Sequence, residues 1–186
     1  MTILVTYKKD NMIYMGSDTQ LTGYSVEYCK DKWVKVNIND DEYIMIGISG
    51  NAYYIDFFKY GFQAPIKYKE ESFDEYLHAK LAPEISQILS QRKIADEINN
   101  QINTESVFVI VYDDVYKLYF NTAPYKVFED FSASGSGSLF AYGAYHASNE
   151  ENVVEMLKIC IDAAIRYDEF CGGNKKIHKK NIGDSE

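Results

Sequence analysis

The second residue of the chain is a threonine whose position suits a nucleophile. Thr2 directly follows Met1, and small residues in this place allow the initiator methionine to be removed. A threonine at a free N-terminus carries a hydroxyl and an α-amine on the same residue. With an ordinary pKa of roughly 7.7–8.0, that amine can accept the hydroxyl proton at neutral pH. Thr2 is therefore a candidate nucleophile, although a threonine in this position is common.

A second candidate lies at the end of the last strongly helical pattern. Apolar residues recur at helical spacing from Val154 to Ala164, and the same spacing continues to Asp168 and Cys171. A carboxylate on the buried face of a helix needs a partner, because an unpaired buried charge is costly. The pattern is compatible both with a structural ion pair and with a functional acid.

The run SGSGS over residues 134–138 is a third candidate. It opens the apolar helical segment LFAYGAYHA. Free backbone N–H groups at the start of a helix can bind an anion. No lysine follows the run as it would in a Walker loop, and taken alone the run is better explained as a flexible turn.

Three pairs of strand-like runs surround these candidates. ILVTYKK and MIYMGSD flank Asp10-Asn11, WVKVNI and YIMIGIS flank residues 39–41, and VFVIVY and VYKLYF flank Asp113-Asp114. Short polar turns between alternating apolar runs are typical of antiparallel hairpins. The sequence therefore predicts antiparallel sheets.

Helical segments follow the second and the third of these hairpins. Capping boxes at Ser72 with Glu75 and at Ser148 with Glu151 predict two helix starts, and Gly172-Gly173 predicts the end of the second helix. Pro83 should kink or restart the first helix. The order of strands, helices, strands and helices favours an α+β domain in which antiparallel sheets lie between helical layers.

Composition excludes several functions. The chain has 186 residues and a net charge of −9, which argues against nucleic acid as the main partner. We expect the basic group near the C-terminus, Lys175, Lys176, Lys179 and Lys180, to be a solvated tail.

The cysteines and the apolar runs indicate where the protein is made. Cys29, Cys160 and Cys171 have no metal-binding or redox spacing, which is typical of a reducing compartment. No signal-peptide pattern opens the chain, and no stretch approaches the roughly 18 apolar residues of a membrane span. We therefore expect a cytoplasmic protein without a membrane partner.

Taken together, the motifs resemble the proteasome β-subunit family of N-terminal-nucleophile (Ntn) hydrolases, especially its HslV-type branch. The segment from Thr2 to GSDTQLTG matches without a gap and puts Asp18 in the family's acidic position. The active-site lysine matches Lys32 in KDKWVKV, with Lys30 and Lys35 as fallback assignments because the preceding loop is about two residues short.

The remaining site residues follow from later motifs of the resemblance. MIGISGNA resembles the strand end that carries the oxyanion glycine, which implies Gly47 for that role and Met45 and Ser49 for the specificity pocket. ASGSGSLFAYG implies Ser136 as a supporting serine. RYDEFCGG implies Asp168 as a further site residue, and Cys171 replaces the serine that usually follows it.

The resemblance implies a four-layer αββα sandwich over residues 1–186, with a short C-terminal tail at about 174–186. It implies a threonine-type endopeptidase without a cofactor or metal, acting on polypeptides inside a homo-oligomeric ring that an ATP-dependent unfoldase feeds. An inactive ring-forming scaffold of this fold and a small-molecule Ntn amidase remain alternatives. The apolar segment YYIDFFKYGF favours assembly, and we expect Phe57 and Phe58 to lie at the subunit contact.

Overall fold

The structure is a computed structural model that describes residues 2–22, 26–28, 30–91, 97–98, 101–102, 106–119 and 123–183. The strands are β1 (Leu4–Lys9), β2 (Met12–Ser17), β3 (Gln20–Thr22), β4 (Val26–Tyr28), β5 (Trp33–Asn37), β6 (Tyr43–Ser49), β7 (Glu97–Ile98), β8 (Gln101–Ile102), β9 (Val107–Val111), β10 (Val115–Tyr119), β11 (Tyr125–Lys126), β12 (Phe131–Ser134) and β13 (Lys176–Asn181). The helices are α1 (Tyr53–Asp56), α2 (Phe73–Tyr76), α3 (Ala82–Gln91), α4 (Ser138–Ala147) and α5 (Val153–Tyr167).

The strands form two main antiparallel sheets. The first has the order β12-β1-β2-β13 and the second the order β11-β10-β9-β6-β5, and β3-β4 and β7-β8 form two short ribbons. The three predicted hairpins are confirmed as β1-β2, β5-β6 and β9-β10. The first turn contains Asp10 with a φ of 54°, a left-handed conformation that aspartate tolerates better than most residues.

Three clusters of buried apolar side chains define four layers. One lies between the five-stranded sheet and the helices α1 to α3, and a second lies between the four-stranded sheet and the helices α4 and α5. The third, which includes Leu4, Met15 and Val109, fills the space between the two sheets. The predicted α+β class and the αββα layering are therefore confirmed.

The first predicted helix start is confirmed. The Ser72 side chain accepts a hydrogen bond from the Glu75 N–H, and the Glu75 carboxylate accepts one from the Ser72 N–H. Pro83 lies where the chain resumes α-helical geometry after a π-helical turn (Leu77–Leu81) that links α2 to α3. Because proline has no N–H to donate to the preceding turn, it suits this change of hydrogen-bonding pattern.

The second predicted helix start is wrong by four residues. The side chain of Asn152 caps α5 by accepting hydrogen bonds from the N–H groups of Val154 and Glu155. The Ser148 side chain instead accepts from Glu150, within the connection that precedes the helix. Asparagine is as good a cap as serine, and the apolar face of α5 begins directly after it with Val153.

The expected solvated tail is also wrong, because most of it is the edge strand β13. This strand pairs antiparallel with β2, with Lys176 opposite Ser17 and Asn181 opposite Met12. Two of its lysines lie over aromatic rings: Lys179 Nζ is 5.2 Å from the centre of the Tyr14 ring, and Lys180 Nζ is 4.8 Å from that of Tyr43. Main-chain pairing and these contacts hold a basic segment against the sheet.

The expectation for Phe57 and Phe58 fails for a physical reason. They are only 3% and 2% exposed, and their rings contact Phe62 inside the core beneath the five-stranded sheet. They continue α1 as a π-helical turn (Phe57–Gly61) that packs on that sheet. A charge at either position would therefore disrupt the fold of the single chain before it tested any subunit contact.

Within the described part of the chain, no helix has the length and apolar character needed to span a membrane.

Candidate active site

Three residues that sequence analysis selected meet at one end of the sandwich. Thr2 lies two residues before the start of β1, Asp18 follows β2, and Lys32 precedes β5. Lys32 Nζ lies 2.7 Å from Asp18 Oδ1 and donates a second hydrogen bond to Thr2 Oγ1, and the Thr2 hydroxyl donates to the same Asp18 oxygen. The structure thus brings a hydroxyl, an ammonium and a carboxylate into mutual contact.

Asp18 is fully buried and well supplied with donors. Its Oδ1 accepts from the Ile3 N–H at 3.1 Å, and its Oδ2 accepts from the N–H groups of Gln20 at 3.2 Å and Gly172 at 3.0 Å. Such bonds compensate a carboxylate for lost hydration and fix its orientation. Asp18 is therefore held rigidly between the chain start and the segment after α5.

Lys32 is only 2% exposed. Burial lowers the pKa of its ammonium below the ordinary value of 10.5, and the attraction and hydrogen bond of Asp18 oppose this shift without cancelling it. The Lys32 side chain is consequently a proton donor that gives up its charge more readily than a solvated lysine.

The two fallback lysines lie elsewhere. Lys30 forms an ion pair with Asp56 at 2.5 Å, and the exposed Lys35 places its ammonium 4.0 Å from the centre of the Tyr43 ring. Of the three lysines in KDKWVK, Lys32 is the one that contacts Thr2.

A cleft of about 340 Å³ opens beside Thr2 and Lys32. Its wall is mixed, with polar side chains beside the end of β6 and the residues that follow it. The other lining residues are Gln20, Leu21, Ile48, Gly50, Asn51, Ala52 and Ile55.

Gly47 and Met45 do not line this cleft. Gly47 lies inside β6, opposite Trp33 on β5 and Val109 on β9, so that strands flank it on both sides. Met45 lies two residues further back and packs in the space between the sheets. The position beside Thr2 that sequence analysis gave to Gly47 is occupied by Gly50, three residues later.

Ser49 and the SGSGS run lie close to the carbonyl group of Thr2. The Gly137 N–H donates to the Thr2 carbonyl at 3.3 Å. Gly135 has a φ of +98°, and a Cβ there would lie 2.1 Å from the Thr2 carbonyl oxygen and 2.9 Å from Ser49 Oγ, so only glycine fits. Ser136 Oγ is buried and has no hydrogen-bond partner among the described residues. This hydroxyl is thus available to a group that joins the site.

Asp168 and Cys171 form a pair at the end of α5. Asp168 accepts from the Phe170 N–H at 3.0 Å and from Cys171 Sγ at 3.3 Å. Burial, followed by the negative charge of Asp18 and the contact with Asp168, raises the pKa of the Cys171 thiol far above its usual range. The raised pKa favours the protonated thiol, which is the form that donates to Asp168.

Sequence analysis missed the contribution of the segment after α5. The Gly172 carbonyl accepts from the N–H groups of Thr19 at 3.1 Å and Gln20 at 3.0 Å, and Asn174 N–H donates to Thr19 Oγ1 at 2.8 Å. These are mostly main-chain contacts, for which a sequence gives no residue-specific signal. Gly50 did have a signal, since Gly50-Asn51 is a turn pair that ends the apolar alternation of β6.

Within the described ranges, no group of three or more histidine, cysteine, aspartate or glutamate residues has an arrangement that could hold a metal ion. Met1 and Cys29 lie outside these ranges.

No protein-family model matches the chain, and no curated protein matches its sequence. Solved structures do match it. The complex of Thiobacillus denitrificans BPH with epoxomicin has a TM-score of 0.66 at 18% identity, over 97% of this chain and 98% of that one. BPH alone gives 0.66 at 17% identity, over 98% and 99% of the two chains.

The eukaryotic HslV from Trypanosoma brucei gives a similar result, with a TM-score of 0.65 at 15% identity over 96% of this chain and 99% of that one. All three comparisons cover nearly the whole length of both chains. The chain therefore has the fold of the proteasome β-subunit and HslV family of Ntn hydrolases.

Proposed function

We propose that the protein is a threonine-type peptidase whose nucleophile is Thr2 once Met1 has been removed. The observation that carries this proposal is the contact of Thr2 Oγ1 with the buried pair of Lys32 and Asp18, at the edge of an open cleft. A buried lysine and carboxylate need a reason to be retained, because apolar residues of similar volume are often at least as stable. Activation of a hydroxyl is such a reason.

The chemistry begins with attack of Thr2 Oγ on a peptide carbonyl. The α-amine of Thr2 accepts the hydroxyl proton, directly or through a water molecule, and later delivers it to the leaving amine. The Lys32 ammonium stabilises the negative charge that develops on Oγ, and Asp18 keeps that ammonium charged and aimed. The resulting acyl-enzyme ester is then hydrolysed by water, which restores the free hydroxyl.

We assign the oxyanion donor to the backbone N–H of Gly50 in place of Gly47. The Ile48 N–H donates to the Lys32 carbonyl at 2.9 Å, and N–H groups on one edge of a strand recur at every second residue. The Gly50 N–H therefore faces the same edge, beyond the start of β5, where the cleft opens. Gly50 has a φ of +119°, and a Cβ there would lie 2.1 Å from Ser106 Oγ, so glycine is required.

Ser136, Asp168 and Cys171 complete the proposed site as positioning groups. Ser136 has a buried hydroxyl that lacks a partner among the described residues, and it directly precedes Gly137, whose N–H holds the Thr2 carbonyl. Asp168 and Cys171 form a hydrogen-bonded pair near Asp18. These groups are suited to orient the Thr2 amine and the hydrolytic water.

We also propose that the peptidase works as a homo-oligomer that encloses the cleft, with unfolded polypeptide as substrate. The proteasome-like fold supports this proposal, as does a patch of exposed apolar residues on the outer helical layer. Leu139 and Tyr167 are 80% and 66% exposed, and the ring of Phe140 lies 5.9 Å from that of Tyr167. An ATP-dependent unfoldase that delivers substrate is a further part of the proposal.

Variants of Thr2 and Lys32 test the proposal. Thr2→Ala should lower cleavage of fluorogenic peptide amides by roughly 10³-fold or more, whereas Thr2→Ser, which keeps the hydroxyl, should retain measurable activity. Lys32→Ala should cause nearly the same loss as Thr2→Ala, and the double variant should be no worse, because the two residues act as a unit. Lys35→Ala is the control and should remain active. Full activity of Thr2→Ala in folded protein would refute the proposal and would favour an inactive scaffold with a contaminating peptidase.

A further inference from the structure

The C-terminal strand β13 and the segment before it contact the residues that hold the proposed catalytic site. The segment before β13 holds Asp18 and its neighbour in place, because the Gly172 N–H donates to Asp18 and the Asn174 N–H donates to the Thr19 hydroxyl. The strand itself then pairs with β2, the strand that ends just before Asp18. This part of the chain therefore supports the acidic half of the Asp18–Lys32 pair.

A histidine of the same strand, His178, contacts the residue that precedes Lys32 in the chain. His178 lies opposite Met15 in the β13-β2 register, and its Nε2 lies 2.8 Å from Asp31 Oδ2. Asp31 precedes Lys32, and its other oxygen accepts from the Trp33 N–H at 3.1 Å. The two oxygens of Asp31 thus connect the first sheet, through His178, to the first residue of β5 in the second sheet.

The contact is positioned to control the Lys32 backbone. Lys32 lies between the two bonded residues Asp31 and Trp33, and its carbonyl accepts from the Ile48 N–H at 2.9 Å. Its side chain is 2% exposed, whereas those of His178 and Asp31 are 30% and 38% exposed. The bridge is therefore a partly solvated brace outside the reacting centre.

The charges around Asp31 are consistent with a carboxylate that accepts this bond. Burial alone would raise the pKa of Asp31, but the hydrogen bonds from His178 and the Trp33 N–H, and the nearby charge of Lys176, lower it below its usual value. His178 can donate from Nε2 either as the neutral ring with its proton on that nitrogen or as the imidazolium.

We propose that His178 is a positioning residue for Lys32: through Asp31 it fixes the backbone that presents the lysine to Thr2, and so couples the C-terminal strand to the site. This inference rests on the proposed function. A misplacement of about 1 Å in a catalytic group can cost on the order of 10²-fold in rate, so a brace on Lys32 should affect the chemical step. The cleft residues that would bind substrate do not include His178 or Asp31.

Steady-state kinetics on a fluorogenic peptide amide test the inference. His178→Leu should lower kcat about tenfold and leave KM within about twofold, because the bridge positions a catalytic group and not the substrate. His178→Gln, whose amide can still donate, should recover most of the loss. Lys179→Leu is the matched control on the same strand, since Lys179 lies over the Tyr14 ring, and it should leave kcat unchanged. Equal losses in His178→Leu and Lys179→Leu would overturn the inference.

A double-variant cycle separates positioning from general loss of stability. Asp31→Leu should lose at least as much as His178→Leu, because it removes the Trp33 bond as well, and the combined variant should be no slower than Asp31→Leu alone. Additive losses would contradict a shared bridge.

A spectroscopic measurement keeps this test separate from the proposed function. The ¹³Cε resonance of Lys32, assigned through Lys32→Arg, should shift in His178→Leu and stay in place in Lys179→Leu. If the wild type cleaved no peptide but this shift appeared, the proposed activity would fail and the brace would stand. An unmoved resonance in His178→Leu would refute the brace whatever the activity.

Discussion

Asp18 and Lys32 are both almost fully buried. At the scale of single residues, each buried charge is tolerated only because of the hydrogen bonds that it makes. The carboxylate is satisfied by three main-chain N–H groups as well as by the ammonium. The ammonium bonds only to Thr2 and Asp18 among the described residues. Removal of the Asp18 charge would therefore leave the Lys32 ammonium buried without a counter-charge.

We predict that Asp18→Asn lowers the free energy of unfolding by about 3–5 kcal/mol, because it leaves Lys32 buried without its counter-charge. Lys30→Met is the control: it breaks the partly exposed pair with Asp56 and should cost at most about 1 kcal/mol. Urea denaturation followed by circular dichroism measures both values. Equal effects of the two variants would contradict a buried, mutually dependent pair.

Cys171 supports the site as a donor, so its hydrogen bond should matter more than its sulfur. We predict that Cys171→Ser keeps peptidase activity within about twofold, because a hydroxyl can also donate to Asp168. Cys171→Val has no donor and a somewhat larger side chain, and it should lower activity at least about tenfold by releasing Asp168. If serine and valine behaved alike in a peptide-amide assay, the bond to Asp168 would have no role.

Thr2, Asp18 and Lys32 were predictable from sequence because the segment that joins the first two matches the family without a gap and one lysine lies just ahead of a clear strand. The proposed oxyanion glycine, Gly50, was not. Gly47 and Gly50 both lie near the end of one strand, and only the pairing of β6 on both sides shows that Gly47 is interior to the sheet. The choice between the two glycines depends on where β5 starts. That start is set by the pairing of the strands and cannot be read from the local sequence.

At the scale of elements, two residues of similar capping ability, Asn152 and Ser148, can be compared as the start of α5. Asn152→Ala should lower the free energy of unfolding by about 1 kcal/mol, because it removes the acceptor of the Val154 and Glu155 N–H groups. Ser148→Ala, at the position that the sequence favoured, should change it by no more than a few tenths of a kcal/mol. Thermal or urea denaturation that ranked the two variants in the opposite order would contradict the assigned helix start.

The hairpins and the first capping box were readable from sequence because each depends on neighbouring residues. β13 was not readable, since KIHKKN is mostly basic and resembles a solvated segment. Its place in the sheet depends on the free edge of β2, more than 150 residues away in the chain. The lysine stems also gain from lying over tyrosine rings, which no local pattern reports.

At the scale of the whole molecule, the layers decide which apolar residues remain for assembly. The segment YYIDFFKYGF looked exposed in sequence, yet its phenylalanines fill the core beneath the five-stranded sheet and only Tyr53 and Tyr60 are largely exposed. A sequence shows how many apolar residues a segment has, but not which of them become buried between a sheet and its layer of helices. Exposed apolar side chains lie on α4 and at the end of α5, and others, such as Ile66, Tyr68 and Phe128, lie in the connections between elements.

We predict that Leu139→Glu dissociates the proposed homo-oligomer, because Leu139 is 80% exposed and lies beside Phe140 at the start of α4. One change would act at every copy of a repeated interface. His146→Glu also adds a negative charge on α4 but removes no apolar surface, and it should leave assembly intact. Light scattering at micromolar concentration measures both. A wild type that was monomeric and still cleaved peptides would contradict enclosure.

The central claim is that Thr2 forms the covalent bond to substrate with a free α-amine beside it. Mass spectrometry of the protein after brief reaction with an activated peptide ester tests it most directly, because the total mass reports Met1 and fragmentation locates the acyl group. The account predicts a chain that begins at Thr2 and carries one acyl group on that residue, and no such adduct in Thr2→Ala. An active protein that retained Met1, or an acyl group on any other residue, would contradict it.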